Sequence, residues 1–405
     1  MNPITPTPPI AAAPLAITQH TLVSALGHGR DATFAALQAG RTGLAPRQFE
    51  TAAIDSWLGV VEGSENIAWR DDLANYDCRN NRLAELALRC DGFDAAVQDA
   101  ARRWGSHRIG VFLGTSTSSI LQTEVAYRHR DPETGALPDS LHYGETHDTA
   151  SVARYVRAAL GLQGPAFVVS TACSSSAKVY ASAQRLIALG LIDAAVVGGV
   201  DSLCMTTLYG FRALELTSPD ICRPWDAGRS GLSIGEAAAF ALLERDAAQP
   251  MGWLLGAGES SDGHHMSSPH PEGAGAVMAM RAALAQAGLQ PQQVDYLNLH
   301  GTGTPGNDAA EDRAVGAVFG TTLPCSSTKG YTGHTLGAAG GVEASIALLA
   351  LQHGLAPAGL NLRTQDPALH SHILREPLRR PLQVVASNSF GFGGSNACLV
   401  FGAVS

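Results

Sequence analysis

The sequence predicts an α/β protein, buried strands covered by helices, on three observations. Short apolar runs alternate with alanine-rich helical stretches along most of the chain, the pattern of sheets packed between helices. Hydrophobic residues make up 45% and charged residues 16%, too apolar and too weakly charged for a disordered chain. At 405 residues the chain has material for two or three domains of ordinary size, or for one large layered fold.

The elements follow in order. The first 14 residues, rich in Pro and Thr, read as a loose arm. Helical patterns cover residues 31–39 and 82–89, and the first strand is expected at 109–114. A helix at 149–160, a strand at 166–170, a helix at 175–189 and strands at 194–198 and 238–243 come next. Beyond them lie a helix at 275–287, a strand at 296–299, helices at 309–319 and 342–353, and a strand at 384–387. Gly161, Gly190, Gly288 and Gly354 fall just past helical stretches, where a left-handed C-terminal residue is wanted.

A coarse duplication underlies this order. FVVSTACSSSAKVYASAQRLIALG reads as strand, small-residue turn and buried helix, and PCSSTKGYTGHTLGAAGGVEASIALLALQHG repeats the plan. A seam at residues 247–252 divides the chain into an N-terminal half, 14–247, and a C-terminal half, 251–405. Two such halves would place two helix N-termini, each carrying chemistry, near a common centre.

Several classes are excluded. A net charge of -9 argues against a general nucleic-acid binder. No run of about 18 apolar residues is present, so no membrane span is expected. The first basic residue is Arg30, so the apolar residues 8–17 lack the charged start of a secretory signal, and a cytoplasmic location is expected. Seven cysteines include no pair closer than 12 residues, so neither a disulfide scaffold nor structural zinc is expected.

Twenty-five arginines stand against two lysines, Lys178 and Lys329. An ammonium on a flexible stem is not interchangeable with a planar guanidinium, which singles out Lys329, five residues before His334. For Lys178, a functional reading and a solvated helix face stand level.

Cys173 follows a β-rich run and opens a helix of small residues. Free amide N–H groups and the helix dipole there favour an anion, so a lowered thiol pKa and a nucleophilic sulfur are expected. An inert cysteine packed under the helix is the alternative. His300, in LNLHGTGTPGND, ends an apolar strand, and His334, in STKGYTGHTLGAAGG, stands at the mouth of a buried helix. A neutral imidazole there can donate to a developing oxyanion while its other nitrogen is fixed; a satisfied core histidine is the plainer reading. Phe390, Gly391, Phe392 and Gly393 in SNSFGFGGSN suggest a mobile loop with an amide to offer. SSDGHHMSSPH fits no standard metal spacing and reads as a polar loop lining a channel, with Ser267 and Ser268 in its wall. No phosphate loop or dinucleotide fingerprint is present.

Together TACSSSA, RPWDAGRSGLSIGEA, HGTGTP, KGYTGHTLGAAG and NSFGFGGSN resemble the β-ketoacyl-acyl carrier protein synthases of the elongating type I/II class, in family order from about Pro14 to Phe401. The resemblance implies a thiolase fold, five layers (αβαβα) from two pseudo-symmetric halves. It also implies a decarboxylating Claisen condensation. Cys173 would carry the acyl group, His300 and His334 would assist malonyl decarboxylation, and Lys329 and Glu311 would form a charged pair orienting the site. The amides of Cys173 and Phe392 match the family's hole for the thioester oxygen. No dissociable cofactor or metal is implied, since 4′-phosphopantetheine enters as the arm of the acyl carrier protein.

Gly306, Asn307 and Asp308 after HGTGTP, with CRNNR and DSLCMTTLYGF, look more like aryl-polyene pigment synthases than housekeeping fatty-acid enzymes. The implied partners are a carrier protein bearing acyl and malonyl thioesters and a second ketosynthase-like chain, identical or related. An acidic carrier would be repelled by the net charge at long range, so a basic patch is expected, with Arg79, Arg82, Arg128, Arg130 and Arg212 its candidates. The competing reading is a non-catalytic, chain-length-factor-like partner; such chains lack the nucleophile, which Cys173 supplies here.

Overall fold

Each half of the chain contributes five main strands of one and the same plan to a twelve-stranded sheet, whose two remaining strands are the short Gly27–His28 and His372–Ile373. The computed structural model describes residues 13–404, so the N-terminal arm lies outside the described residues except for its last two. In the first half, β1 (Leu15–Ser24), β2 (Ile109–Gly114), β3 (Ala166–Val169), β4 (Ala194–Asp201) and β5 (Ala237–Glu244) lie in the order β3-β2-β4-β5-β1. The β3/β2 and β2/β4 pairs are parallel, and β4/β5 and β5/β1 are antiparallel. In the second half, β6 (Gly252–Ser261), β7 (Tyr296–Asn298), β8 (Pro324–Ser326), β9 (Val384–Gly391) and β10 (Ser395–Gly402) repeat it as β8-β7-β9-β10-β6. Their directions match pair for pair. Three residue pairs between β1 and β6 join the two half-sheets edge to edge.

Helices fill three layers around these sheets. On the outer face of the first sheet lie α2 (Arg79–Leu88), α3 (Phe93–Trp104) and α5 (Ser151–Ala159), which follow α1 (Gly29–Gln38) and flank α4 (Ile120–Arg128) in sequence. Their Leu83, Phe93, Val97, Val152 and Val156 pack on Val111, Val196 and Phe240. Between the sheets run α6 (Ser175–Ala188) and, after α7 (Met205–Ala213), α8 (Ala274–Ala287), α9 (Pro305–Phe319) and α10 (Lys329–Thr332), the long α11 (Ala339–His353). Tyr180, Ile187, Leu348 and Leu351 share one core with Phe112, Val197, Tyr296 and Phe401, so the central layer touches both sheets. Helices α8 and α9 cover the second sheet's outer face through Met280, Leu284 and Val315. This is the five-layer thiolase arrangement.

Local sequence explains the central layer. Every residue of α11 from Ala339 to Leu351 is buried, the behaviour of a helix apolar all round. Contact with α6 is backbone-close: a Cβ on Gly340 would lie 2.7 Å from the Ala177 amide nitrogen. Gly161, Gly190, Gly288 and Gly354 all take positive φ, from 60° to 68°, at helix ends as expected.

Strands β1, β6 and β10 and helices α3, α4 and α7 were not expected from the pattern. In β6, glycines hide the strand: a Cβ on Gly256 or Gly258 would fall 2.3 or 2.0 Å from carbonyls of α8. Glycine is selected there for close helix–strand approach, against its own strand preference.

The same constraint appears beside the site. A Cβ on Gly114 would sit 2.2 Å from the Ser176 amide nitrogen, where β2 meets the start of α6. Gly114→Ala should therefore cost about 2–3 kcal/mol, read as a lower urea midpoint with an unchanged slope; a cost below about 0.5 kcal/mol would contradict this packing.

Candidate active site

The duplicated strand–turn–helix units end at one place. Strand β3 leads through Thr171 and Ala172 to Cys173 at the mouth of α6, and β8 leads through α10 to His334 at the mouth of α11. Because α6 and α11 pack together, their N-terminal ends converge, and His334 Nε2 lies 3.0 Å from Cys173 Sγ. Ala172 holds a left-handed φ of 52°, which sets the thiol at the head of the helix. His300 follows β7, the strand beside β8, and its ring stands edge-on to that of His334 at 5.3 Å.

Lys329 lies behind the histidines, 1% exposed. Its three ammonium protons have three acceptors: the carbonyl of His300 (2.5 Å), Nδ1 of His300 (3.4 Å) and Oε1 of Glu343 (2.5 Å). An ammonium can only donate. Nδ1 of His300 must therefore be bare, and the ring proton sits on Nε2. His334 reaches the same state differently, its Nδ1 accepting the Leu336 amide at 3.2 Å. Burial, then the charge of Lys329, holds both imidazoles well below the usual histidine range, with the neighbouring His334 adding to the shift at His300. Both rings are neutral at physiological pH, and each turns an Nε2–H donor forward.

The thiol departs from expectation. Burial pushes Cys173 up to about 12, against the opposing pull of Lys329 and of the Phe392 and Cys173 amides. Desolvation outweighs the helix N-terminus here, so the resting sulfur is a thiol. The Phe392 and Cys173 amides face the sulfur, and a Cβ on Gly391 would come 3.2 Å from the Cys173 nitrogen, so the end of β9 abuts the turn that carries Cys173.

A second correction concerns Glu311. It does not pair with Lys329. Its oxygens accept the amides of His300 (2.8 Å) and Gly301 (2.7 Å) and the Asn388 side chain (3.1 Å), so it fixes the backbone beneath His300. Lys329's partner is Glu343, which the sequence reading missed although it is the lone carboxylate in the apolar run of α11. Burial raises both carboxyls to about 7.

Two spaces that share Cys173, Phe211 and Phe392 in their walls flank the sulfur. A cavity of about 230 Å³ runs outward past His300, His334, Thr302, Thr304, Asn307, Ser267 and Ser268. On the other side Ala172, Phe211, Leu214, Leu336 and Phe392, with Ser116, Thr206 and Thr207, line a half-open chamber of about 240 Å³ whose surface is almost entirely apolar. Phe392 borders both and leans on Phe211 at 5.5 Å, while Phe390 packs on His300 at 5.7 Å. Gly393, at φ 77°, donates its amide to the Met266 carbonyl, tying this loop to the one that carries Ser267 and Ser268.

Among the described residues, Cys173, His300 and His334 are the one trio with ligand atoms near enough for a metal, within 4.8 Å. They suit it poorly, since both imidazoles present protons and an ammonium stands behind them. His265 instead caps its turn, accepting the Ser267 and Ser268 amides. Lys178 lies half-buried along α6 and lines neither of the two spaces.

The arginine candidates divide. Arg79 is turned inward, bonding fully buried Glu236 at 2.6 and 2.8 Å, and is a structural ion pair, not a docking residue. Arg82 is held by Asp77. Arg128 reaches Met205 Sδ and lies 3.9 Å from Glu50, whereas Arg130 and Arg212 are exposed and have no ion pair among the described residues.

Family models named "Beta-ketoacyl synthase, N-terminal domain" and "Beta-ketoacyl synthase, C-terminal domain" match residues 79–249 and 251–363. The chain belongs to the β-ketoacyl synthase family of acyltransferases. It is 31% identical over 411 residues to 3-oxoacyl-[acyl-carrier-protein] synthase 2 of Vibrio cholerae, covering 95% of this chain and 98% of that one. It is 42% identical over 265 residues to the mitochondrial 3-oxoacyl-[acyl-carrier-protein] synthase of Arabidopsis thaliana, covering 60% of this chain and 58% of that one. A solved complex of the ketosynthase ApeO with its chain length factor ApeC, from Xenorhabdus doucetiae, superposes with a TM-score of 0.87 at 38% identity, over 96% of this chain and 98% of that one.

With a thiol near 12, the alkylation rate of Cys173 by iodoacetamide should climb about tenfold per pH unit from pH 7 to 10. In the double variant Lys329→Met/Glu343→Gln, chosen so that no buried carboxylate is stranded, the rate should fall about tenfold at each pH. A plateau at or below pH 8 would contradict the thiol assignment.

Proposed function

We propose that this chain is a β-ketoacyl-carrier-protein synthase, condensing an acyl group held on Cys173 with a malonyl unit delivered by an acyl carrier protein. The observation that carries this reading is the pair of forward-facing Nε2–H donors, one of them 3.0 Å from the Cys173 sulfur. In the first half-reaction Cys173 attacks the acyl thioester, the Cys173 and Phe392 amides take up the carbonyl oxygen's charge, and the thiol proton leaves on the displaced pantetheine sulfur. In the second, the malonyl thioester loses carbon dioxide, and its enolate oxygen is received by His300 and His334. The enolate carbon then attacks the acyl-Cys173 carbonyl and expels the Cys173 thiolate, which takes up a proton from solvent to restore the resting thiol. A preplaced donor of this kind is worth about 3–4 kcal/mol. No dissociable cofactor or metal enters this scheme, and the pantetheine arm belongs to the carrier.

The substrate class we propose is an aryl-primed, growing polyenoyl thioester. The mostly apolar surface of the chamber, with Phe211 and Phe392 along it, suits a flat conjugated chain. We further propose that a second ketosynthase-like chain, identical or related, closes that chamber beyond exposed Leu214; the similarity to a ketosynthase that assembles with a chain length factor supports this. Arg130 and Arg212, with Arg128 at the end of α4, which packs on α7, are the proposed carrier-protein contacts. All seven cysteines are free, in keeping with the cytoplasm, and among the described residues no helix is long and apolar enough to cross a membrane. We take the halves 14–247 and 251–405 as its two units. A non-catalytic partner role is disfavoured by the assembled Cys173–His334 contact.

Incubation with acyl-carrier protein should add the acyl mass to a peptide containing Cys173, and Cys173→Ser should abolish that adduct. His334→Ala should keep acyl transfer but lower carbon dioxide release from malonyl-carrier protein by roughly 100-fold or more. Acylation persisting at the same rate in Cys173→Ser, or unchanged carbon dioxide release in His334→Ala, would refute the assignment.

A further inference from the structure

The condensation scheme leaves one buried anion unused. Asp201, at the end of β4, is fully buried, and all its partners are donors. Oδ1 accepts the Thr115 hydroxyl (2.6 Å), the Ser116 amide (2.8 Å), and the Thr117 amide and hydroxyl (both 2.9 Å). Oδ2 accepts the Ser116 amide (3.0 Å) and the Gly337 amide (2.5 Å). The two threonine oxygens already accept amides from Ser118 and Ser202, which turns their protons toward the carboxylate.

Both segments gripped by this carboxylate touch the reacting side chains. Gly337 adjoins Leu336, whose amide occupies Nδ1 of His334 and whose own φ is a strained 54°. A leucine keeps a left-handed backbone only where its surroundings impose it, and the Asp201–Gly337 bond is such a restraint. Ser116, held from the other side, donates its hydroxyl to the Ala172 carbonyl at 3.2 Å. Ala172 is the left-handed residue immediately before Cys173, with φ 52°. A single carboxylate thus spans two strained turns, one behind each reacting atom.

We propose that Asp201 is a positioning residue: it pins the Leu336–Gly337 turn that fixes the tautomer of His334, and the Ser116 turn that braces Cys173. The inference rests on the condensing-enzyme reading above. It extends that reading to a residue that touches neither substrate nor reacting atom. Replacement by asparagine turns one acceptor oxygen into a donor facing donors, so at least one turn must be released.

The test measures carbon dioxide release from malonyl-carrier protein and acyl transfer to Cys173 separately. Asp201→Asn should lower kcat for carbon dioxide release at least tenfold with KM within twofold of wild type. Asp193→Asn, at the opposite end of β4 and paired there with Arg108 and Arg245, serves as the control for strand destabilisation and should leave both rates within twofold. Should Asp201→Asn fail to fold, Ser116→Ala cuts only the brace to Ala172; it should slow Cys173 acylation about tenfold while carbon dioxide release stays within twofold. Wild-type rates in Asp201→Asn would overturn the proposal, as would equal losses of both reactions in Ser116→Ala. A wild-type protein without either activity would instead overturn the condensing-enzyme reading, so the two failures are distinguishable.

Discussion

A single ammonium, sealed from water, sets the protonation pattern of the site. Lys329 satisfies its three protons with His300 twice and Glu343 once. In a low-dielectric interior such a group is tolerated only when fully partnered. Its charge acts on each neighbour in the useful direction. It forces Nδ1 of His300 to be the bare nitrogen, helps keep both imidazoles neutral, and opposes the burial that raises the Cys173 thiol. The desolvation that makes the thiol reluctant also makes two aimed N–H donors strong, because interactions with developing charge are worth more where water is excluded.

The duplicated fold makes this meeting possible. Two strand–turn–helix units of identical sheet plan face each other across a layer of two buried helices, and close contact at Gly340 and Ala177 brings the helix heads together. Neither half carries a complete site. The first supplies the sulfur and a carboxylate-braced turn; the second supplies both imidazoles, the ammonium and the Glu311 carboxylate that fixes the backbone under His300.

Much of this was legible in the sequence because its signals are local. Lys329 stood out by the scarcity of lysine, the terminal glycines marked helix ends, and Cys173, His300 and His334 each sat where a strand gives way to a loop or helix. What stayed hidden depends on tertiary contact. Strand β6 was masked by glycines that α8 demands, and Glu343 by the apolar helix around it. Glu311 was assigned to Lys329 by the resemblance alone, and nothing in the sequence shows that its oxygens turn instead to the amides beneath His300. Arg79 read as surface charge, yet Glu236 draws it inward. The thiol's upward shift could not be seen without knowing how completely the site is buried.

The central claim is that His300 and His334 are neutral and protonated at Nε2 alone. Imidazole ¹⁵N NMR of histidine-labelled protein, with each resonance assigned by single substitution, reads this directly. The account predicts an amine-like Nε2 and a bare Nδ1 for both residues at pH 7, with no titration in the ordinary histidine range. A proton on Nδ1 of either ring, or a titration between pH 6 and 7, would contradict it.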